Sequence, residues 1–306
     1  MNFLTALDAN DFILMEAAII ESLLQAGKIE LHPHLLNALL IYDKDGRNEL
    51  RRFFDDYIAI AERANVPILI CTSTWRANQE RVAEAGLEPD VNADSVAFLK
   101  SVRKRWNGRV KVYIGGLMGC KNDAYQPSEG LSMDAARAFH SWQAEKLAAA
   151  RPDFLMAATM PAISEALGMA AAMAETAVPY IISFVINGAG CILDGTRLED
   201  AFFRIDKEVS RQPLGYMVNC AYPSFLCPET QSPAVLSRLI GFQANASSMD
   251  HSQLNESETI FADDISDWGD RMIELNRRFG VKILGGCCGT GSAHLNYIVD
   301  HIWSAG

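Results

Sequence analysis

Short apolar runs alternate with longer segments of helical period along the whole sequence. Eight such runs occur, at Phe12–Met15, Pro67–Cys71, Val110–Gly115, Phe154–Ala158, Tyr180–Ile186, Gly215–Asn219, Leu239–Gln243 and Val281–Leu284. Most are continuously apolar, which is typical of strands buried on both faces of a parallel sheet. The intervening segments carry apolar residues at helical spacing, for example Asn48–Ala64, Met133–Ala150, Ala162–Glu175, Arg197–Arg211 and Ile265–Phe279. This alternation predicts the α/β class and a single (β/α)8 TIM barrel.

The length and composition agree with one barrel. The chain has 306 residues, and this fold takes about 250 residues or more. Apolar residues make up 49% of the chain, which is enough to bury a large core. No repeat, low-complexity tract, linker or break in composition divides the sequence. We therefore predict one domain that spans residues 1–306.

The charge of the chain limits its partners. The formal net charge is −11 and the pI is near 5, whereas nucleic acids and anionic membranes bind to basic patches. We expect a small-molecule partner, no nucleic acid and no membrane. The sequence does not indicate an oligomeric state, and a homo-oligomer is the default expectation.

The cysteines and the uncharged segments indicate the compartment. Seven cysteines, an odd number in a long chain, do not form the pattern of a disulfide framework. The first residues lack the basic region and cleavage site of a signal peptide. The longest uncharged run, Thr176–Leu193, is interrupted by proline and glycines, so it is not expected to span a membrane. We predict a cytoplasmic protein.

Two adjacent cysteines set among glycines follow the last predicted strand. Successive residues of an extended strand point to opposite faces, so Cys287 and Cys288 can reach one point only if the backbone turns there. Glycines at positions 285, 286, 289 and 291 permit such a turn. Two thiolates that converge on one centre suggest a soft metal, most often zinc.

Zinc needs at least one more ligand, and Cys220 is the best candidate because it also ends an apolar strand. Three thiolates would leave one position of a tetrahedral Zn2+ open. The alternative is that these cysteines are ordinary buried apolar residues. A single cysteine followed by a distant pair is less specific than paired Cys-x-x-Cys motifs, so residue chemistry alone leaves both interpretations open.

The cysteine segments resemble those of a known family. Gly286–Thr290, with the sequence Gly-Cys-Cys-Gly-Thr, is followed by His294 and is preceded by Val218–Cys220 roughly seventy residues upstream. This order and spacing resemble the homocysteine S-methyltransferase family. Further similar stretches extend the resemblance over nearly the whole chain, namely Thr72–Trp75, Tyr113–Leu117 and Asp194–Thr196.

The resemblance implies an enzyme that moves a methyl group from a sulfonium or ammonium donor to a thiol. In the family the thiol is homocysteine, the product is methionine, and the donors include S-methylmethionine, S-adenosylmethionine and betaine. The implied cofactor is Zn2+, and catalysis would act through its ligands Cys220, Cys287 and Cys288. The implied substrate-binding residues at the barrel mouth are Glu16, Thr72, Thr74, Trp75, Ala158 and Asn219.

Trp75 has two interpretations. Its ring could lie against the cationic methyl group of the donor, or it could be a packed side chain that covers the barrel rim. Arg76 beside it would repel a cation but could hold a substrate carboxylate.

The chain departs from the family pattern at two strand ends. The family typically has an Asp-Gly-Gly-x-Gly-Thr-like motif after the first strand, where this chain has Glu16–Leu23. After the fourth strand, the family usually has Glu-Thr, whose carboxylate holds the substrate amino group, and this chain has Ala158 and Thr159. Two hypotheses follow: a methyltransferase for an altered thiol that lacks the amino group, or a small-molecule binding protein without turnover.

Overall fold

The structure is a computed structural model that describes residues 2–27, 29–87, 90–249 and 262–304. Its parallel strands pair in chain order, and the last strand pairs with the first to close the sheet. The predicted (β/α)8 TIM barrel is therefore confirmed. The strands are β1 (Ile13–Met15), β2 (Ile68–Cys71), β3 (Val112–Gly119), β4 (Phe154–Met160), β5 (Tyr180–Phe184), β6 (Gly215–Ala221), β7 (Leu239–Ala244) and β8 (Ile283–Gly286).

The third strand differs most from its prediction. The sequence predicts Val110–Gly115, but β3 runs on to Gly119. Its second half pairs with β4, ending with Gly119 opposite Ala158. Glycines there interrupt the apolar run that signals a strand, so the pairing with β4 determines where β3 ends.

Helices surround the barrel. The α-helices are α1 (Phe3–Ala9), α2 (Ile20–Ala26), α3 (Lys44–Ala64), α4 (Gln79–Glu84), α5 (Val91–Arg105), α6 (Met133–Ala149), α7 (Ile163–Ala174), α8 (Leu198–Glu208), α9 (Pro233–Arg238), α10 (Ile265–Phe279) and α11 (Ser292–His301). Short 3₁₀ turns occupy Asn37–Ile41, Pro127–Glu129, Pro223–Leu226 and Pro228–Thr230. No helix in the described ranges is both long and apolar enough to cross a membrane.

The inside of the barrel is packed at its amino-terminal end. The Phe3 ring of α1 stacks on Phe154 at 4.7 Å and lies 5.6 Å from Tyr113, measured between ring centroids. Phe154 is the first residue of β4 and Tyr113 is the second residue of β3, so α1 closes the end of the barrel at which the strands begin. In this fold the opposite end, where the strands finish, carries the chemistry.

Candidate metal centre and active site

The three predicted metal ligands meet at the carboxyl-terminal mouth of the barrel. Cys220 lies near the end of β6, and Cys287 and Cys288 follow β8 directly. Their Sγ atoms all lie within 4.8 Å of one another, and those of Cys220 and Cys287 are 2.6 Å apart. Within the described part of the chain, this is the one group of three or more Cys, His, Asp or Glu side chains close enough to hold a metal ion.

A tight turn after β8 brings the adjacent cysteines to the same side. Gly289 has a φ of 76°, a left-handed conformation that glycine adopts without steric cost. The Cys287 N–H donates to the Ala244 carbonyl at 2.7 Å, and the Cys288 N–H donates to Asn245 Oδ1 at 3.2 Å. The backbone of both cysteines is thus fixed to β7 and the residue that follows it.

Cys220 also has a left-handed backbone, with a φ of 52°. Thr159 near the end of β4 has a φ of 59°, and its hydroxyl lies 3.7 Å from the Cys220 sulfur. Such a conformation costs a non-glycine residue on the order of 1–3 kcal/mol and persists only where its surroundings enforce it. Two of these residues in contact indicate that side-chain placement, rather than strand pairing, determines the local backbone.

The side chain of Asn219 helps to hold Thr159 and Cys220 in these conformations. Its Oδ1 accepts hydrogen bonds from the Thr159 N–H at 2.8 Å and from the Ser183 hydroxyl at 2.7 Å. Its amide nitrogen donates to Thr159 Oγ1 at 2.6 Å and to Cys220 Sγ at 3.3 Å. One side chain on β6 therefore links β4, β5 and a cysteine sulfur.

The cysteines determine one another's protonation. Hydrogen bonds from Cys287 and Cys288 hold the pKa of Cys220 well below its ordinary value. The same bonds raise the pKa of Cys287 and of Cys288 well above the ordinary value, because each donates to the Cys220 sulfur. In this arrangement the Cys220 sulfur accepts hydrogen bonds from two thiols and loses its proton more readily than either of them.

This donor set fits zinc. A metal that binds thiolates can replace the protons that the three sulfur atoms share. Sulfur atoms around a tetrahedral zinc lie about 3.8 Å apart. The sulfur atoms of Cys220 and Cys287, which are 2.6 Å apart, would therefore have to separate by about 1.2 Å. All three cysteines line a cavity, which leaves one side of the group open to a ligand.

Tyr125 adds a phenol to the group. It lies between β3 and α6, and its side chain is hydrogen-bonded to Cys220. Burial, followed by the charge of the three cysteines, raises the pKa of Tyr125 well above its ordinary value. The phenol therefore stays protonated and donates to the sulfur. Sequence reasoning missed this residue because a single tyrosine in a polar loop carries no spacing signal.

A cavity of about 340 Å³ lies beside the cysteines. Much of its wall is apolar and includes Met15, Ile19, Leu36, Phe54 and Leu117. Of the predicted substrate-binding residues, it contains Glu16, Thr72, Trp75, Ala158 and Asn219. No lysine, arginine or histidine of the described residues lines this cavity. A ligand carboxylate would thus have to find its partners among backbone N–H groups, hydroxyls and the side-chain amides of Asn37, Asn219 and Gln243.

Thr74 differs from the other predicted residues, since its side chain lies behind the cavity wall and is fully buried. Its hydroxyl donates to the Leu117 carbonyl at 2.6 Å and lies 2.6 Å from the Thr72 hydroxyl. Thr72 Oγ1 in turn accepts from the Leu117 N–H at 2.9 Å. Thr74 therefore orients Thr72 and does not itself reach the cavity.

Trp75 both lines the cavity and packs at the rim. Its indole N–H donates to the Ala158 carbonyl at 3.3 Å, and the Arg76 guanidinium lies 4.3 Å from its ring centroid. Gly119 is in close contact with the indole, where a Cβ would lie 2.4 Å from Nε1. Arg76 donates to two carbonyls of the β3–α6 connection and is not part of the cavity wall. A donor cation would thus have to use the part of the ring that Arg76 leaves uncovered.

Glu16 is the acidic residue at the end of β1, and it is buried with 8% exposure. Its Oε2 accepts a hydrogen bond from the Cys71 N–H at 3.0 Å. Burial raises the pKa of Glu16 from an ordinary value of 4.5 to about 8, although the bond from Cys71 opposes the shift. At neutral pH the carboxyl is therefore mostly protonated and can donate a hydrogen bond to a ligand.

Replacing Asn219 tests its support of the metal site. We expect Asn219→Ala to weaken zinc binding by roughly 10- to 100-fold, because it removes the hydrogen bonds that orient Cys220 and Thr159. Competition with a chelator of known affinity measures this. Asn92→Ala is the matched control, since Asn92 is fully buried and bonded to Ala77 and Gln143 but lies away from the cysteines. Equal losses in both variants would contradict the role of Asn219.

Replacing Glu16 tests its protonation. A carboxyl with a raised pKa in the folded state makes the free energy of unfolding fall as the pH rises from about 4.5 to about 8. Glu16→Gln removes this contribution. The free energy of unfolding of the variant minus that of wild type should therefore increase with pH in that window, by at most about 1.4 kcal/mol per pH unit. Denaturant unfolding of both metal-free proteins between these pH values measures it. Parallel stability curves would show that Glu16 is ionised throughout.

Comparison with solved structures supports the fold. The homocysteine methyltransferase MmuM from Escherichia coli matches in its oxidized form with a TM-score of 0.74 and 21% identity, covering 97% of this chain and 99% of that chain. Its metallated form matches with a TM-score of 0.74 and 20% identity, covering 97% of this chain and 98% of that chain. Its apo form matches with a TM-score of 0.66 and 19% identity, covering 95% of this chain and 96% of that chain. At these identities the similarity establishes the fold alone.

Comparison with curated proteins finds no match. The family model described as homocysteine S-methyltransferase, in contrast, matches residues 14–302. That range contains every strand of the barrel except the first residue of β1, together with all three clustered cysteines. The chain therefore belongs to the homocysteine S-methyltransferase family and is a methyltransferase.

Proposed function

We propose that this thiol methyltransferase depends on zinc and moves a methyl group from a sulfonium or ammonium donor to homocysteine or a related thiol. The observation that supports this most directly is the meeting of Cys220, Cys287 and Cys288 in the cavity wall. With homocysteine the product is methionine, which belongs to methionine biosynthesis. Because the three thiols have to stay reduced, we place the protein in the cytoplasm.

Cys220, Cys287 and Cys288 would hold the zinc, which would supply a positive charge that lowers the pKa of an incoming thiol. The residues of the chain prepare the site. Asn219 and Tyr125 hold the Cys220 sulfur through hydrogen bonds. The apolar walls limit water beside the reacting sulfur and help to align the donor methyl group for in-line displacement. The partners of this domain, residues 1–306, are then a small thiol and a methyl donor.

The acceptor follows from the charges of the cavity. Ala158 cannot anchor an ammonium group, and a protonated Glu16 is a poor anchor as well. Glu21 also lines the cavity, but its carboxyl already accepts the Gly289 N–H. We therefore propose that a thiol without a charged amino group is a better acceptor than homocysteine. The same lack of an anchor also favours the second candidate function, a small-molecule binding protein without turnover.

Serine substitutions of the cysteines test the metal. Purified protein should carry about one zinc per chain, and Cys220→Ser and Cys288→Ser should each lose most of it, because zinc in such sites is held by thiolates. Elemental analysis of the purified variants measures this. Cys191→Ser is the matched control, since Cys191 is a free cysteine outside the cluster. Undiminished zinc in either cluster variant would remove the basis for the proposal.

Turnover separates the two candidate functions. Zinc-loaded protein should methylate at least one thiol in a panel of thiols and methyl donors, and Cys288→Ser should not. Methylated thiol is measured by mass spectrometry. A zinc-loaded protein that binds thiols but transfers no methyl group from any donor would support the binding protein instead.

The acceptor is tested with a charge placed at position 158. Loss of a charge-assisted hydrogen bond costs roughly 1.5–3 kcal/mol, about a tenfold to hundredfold loss in affinity. We expect Ala158→Glu to improve kcat/KM for homocysteine, and Ala158→Gln, the uncharged control of the same size, to bring no gain. For mercaptobutyrate, which lacks the amino group, Ala158→Glu should not raise kcat/KM.

A different set of results would contradict the altered-acceptor hypothesis. The alternative is that Glu16 or Glu21 holds the amino group and homocysteine remains the substrate. If wild type uses homocysteine efficiently, Glu16→Gln or Glu21→Gln abolishes that activity and Ala158→Glu brings no gain, then the carboxylate that was removed holds the amino group. The altered-acceptor hypothesis would then be wrong.

A further inference from the structure

A buried carboxylate closes the loop that carries Tyr125. The loop spans residues 120–132, between β3 and α6. Glu165, in the first turn of α7, accepts the Lys121 N–H on Oε1 at 2.7 Å and the Leu131 N–H on Oε2 at 3.1 Å. Lys121 and Leu131 lie near the two ends of the loop. One side chain, only 1% exposed, therefore holds both ends together.

His140 on α6 fixes this carboxylate from the other side. Its Nε2 lies 3.0 Å from Glu165 Oε1, and its side chain is fully buried. Burial favours a protonated Glu165, but hydrogen bonds from His140, Lys121 and Leu131 outweigh it and lower the pKa of the carboxyl. Glu165 thus accepts these hydrogen bonds as a carboxylate, and hydrogen bonds to a charged group are stronger than those to a neutral group.

The middle of the loop faces the cysteines. Tyr125 lies between the two points that Glu165 holds, and its N–H donates to Asp123 Oδ1 at 2.8 Å. Its side chain lines the cavity and is hydrogen-bonded to Cys220. Glu165 does not line the cavity. Any effect of Glu165 on the reaction must pass through the loop.

We propose that Glu165 is a positioning residue for the methyl transfer, because it closes the 120–132 loop and so places the Tyr125 phenol on the Cys220 sulfur. This inference rests on the proposed function for its kinetic consequence, but the loop closure itself does not require turnover. A carboxylate is needed here because two N–H donors and His140 all require an acceptor. Glutamine offers one oxygen and presents an NH2 group to the remaining donors, so it would release part of the loop.

The first test uses metal-free protein. In Glu165→Gln, amide hydrogen exchange in residues 121–131 should accelerate roughly tenfold or more, as expected for a lost hydrogen bond to a charged group. Alkylation of Cys220, followed by peptide mass spectrometry, should accelerate with it, while alkylation of Cys191 stays unchanged. Glu175→Gln is the control, because Glu175 ends the same helix but forms an exposed ion pair with Arg137.

The second test is a double-mutant cycle on zinc-loaded enzyme with the thiol and donor that give turnover. Glu165→Gln and Tyr125→Phe should each lower kcat more than they raise KM. If Glu165 acts by placing the phenol oxygen, Glu165→Gln should have little further effect in the Tyr125→Phe background.

Two results would overturn the inference. One is equal acceleration of exchange in the loop and in the interior of α6 and α7, which would mean that Glu165 only stabilises the helices. The other is the same fold-loss from Glu165→Gln with and without the Tyr125 hydroxyl. A protein without turnover would refute the proposed function, and the exchange and alkylation measurements would still decide the role of Glu165.

Discussion

The hydrogen bonds of the Asn219 side chain are the interaction on which the rest of the site depends. They tie Thr159 on β4 and Ser183 on β5 to the Cys220 sulfur on β6. Thr159 and Cys220 adopt left-handed backbones that strand pairing alone does not favour. The barrel therefore supplies a rigid frame, and a single amide determines where one sulfur points within it.

The protonation of the site is consistent with this arrangement. A sulfur that accepts hydrogen bonds from two thiols and a phenol suits a group that exchanges protons for a metal ion. Glu16, in contrast, has no cationic partner in the cavity and a pKa of about 8. Glu21 is the other acidic residue of the cavity wall, and its carboxyl accepts a hydrogen bond from the Gly289 N–H beside the cysteines. The acidic groups of the cavity therefore gather near the sulfur atoms with no cationic side chain beside them, which suits a cationic methyl donor.

The sequence predicts the barrel and the cysteine cluster because both depend on local signals. Apolar runs identify the strands, and cysteines at strand ends have to meet at one mouth of a parallel barrel. The end of β3, the buried position of Thr74 and the role of Tyr125 depend on contacts between distant segments. Glu165 is a clear example, since only the packing of α7 against the 120–132 loop makes an ordinary helical glutamate the partner of Lys121 and Leu131.

The central claim is that three cysteines hold a zinc with one position open to the acceptor thiol. X-ray absorption at the zinc edge measures it most directly, because sulfur neighbours at about 2.3 Å are distinguished from lighter atoms at about 2.0 Å. The account predicts three sulfur neighbours in the zinc-loaded protein alone and four when a saturating acceptor thiol is added. A sulfur count that stays at three with a thiol that the enzyme methylates would contradict it.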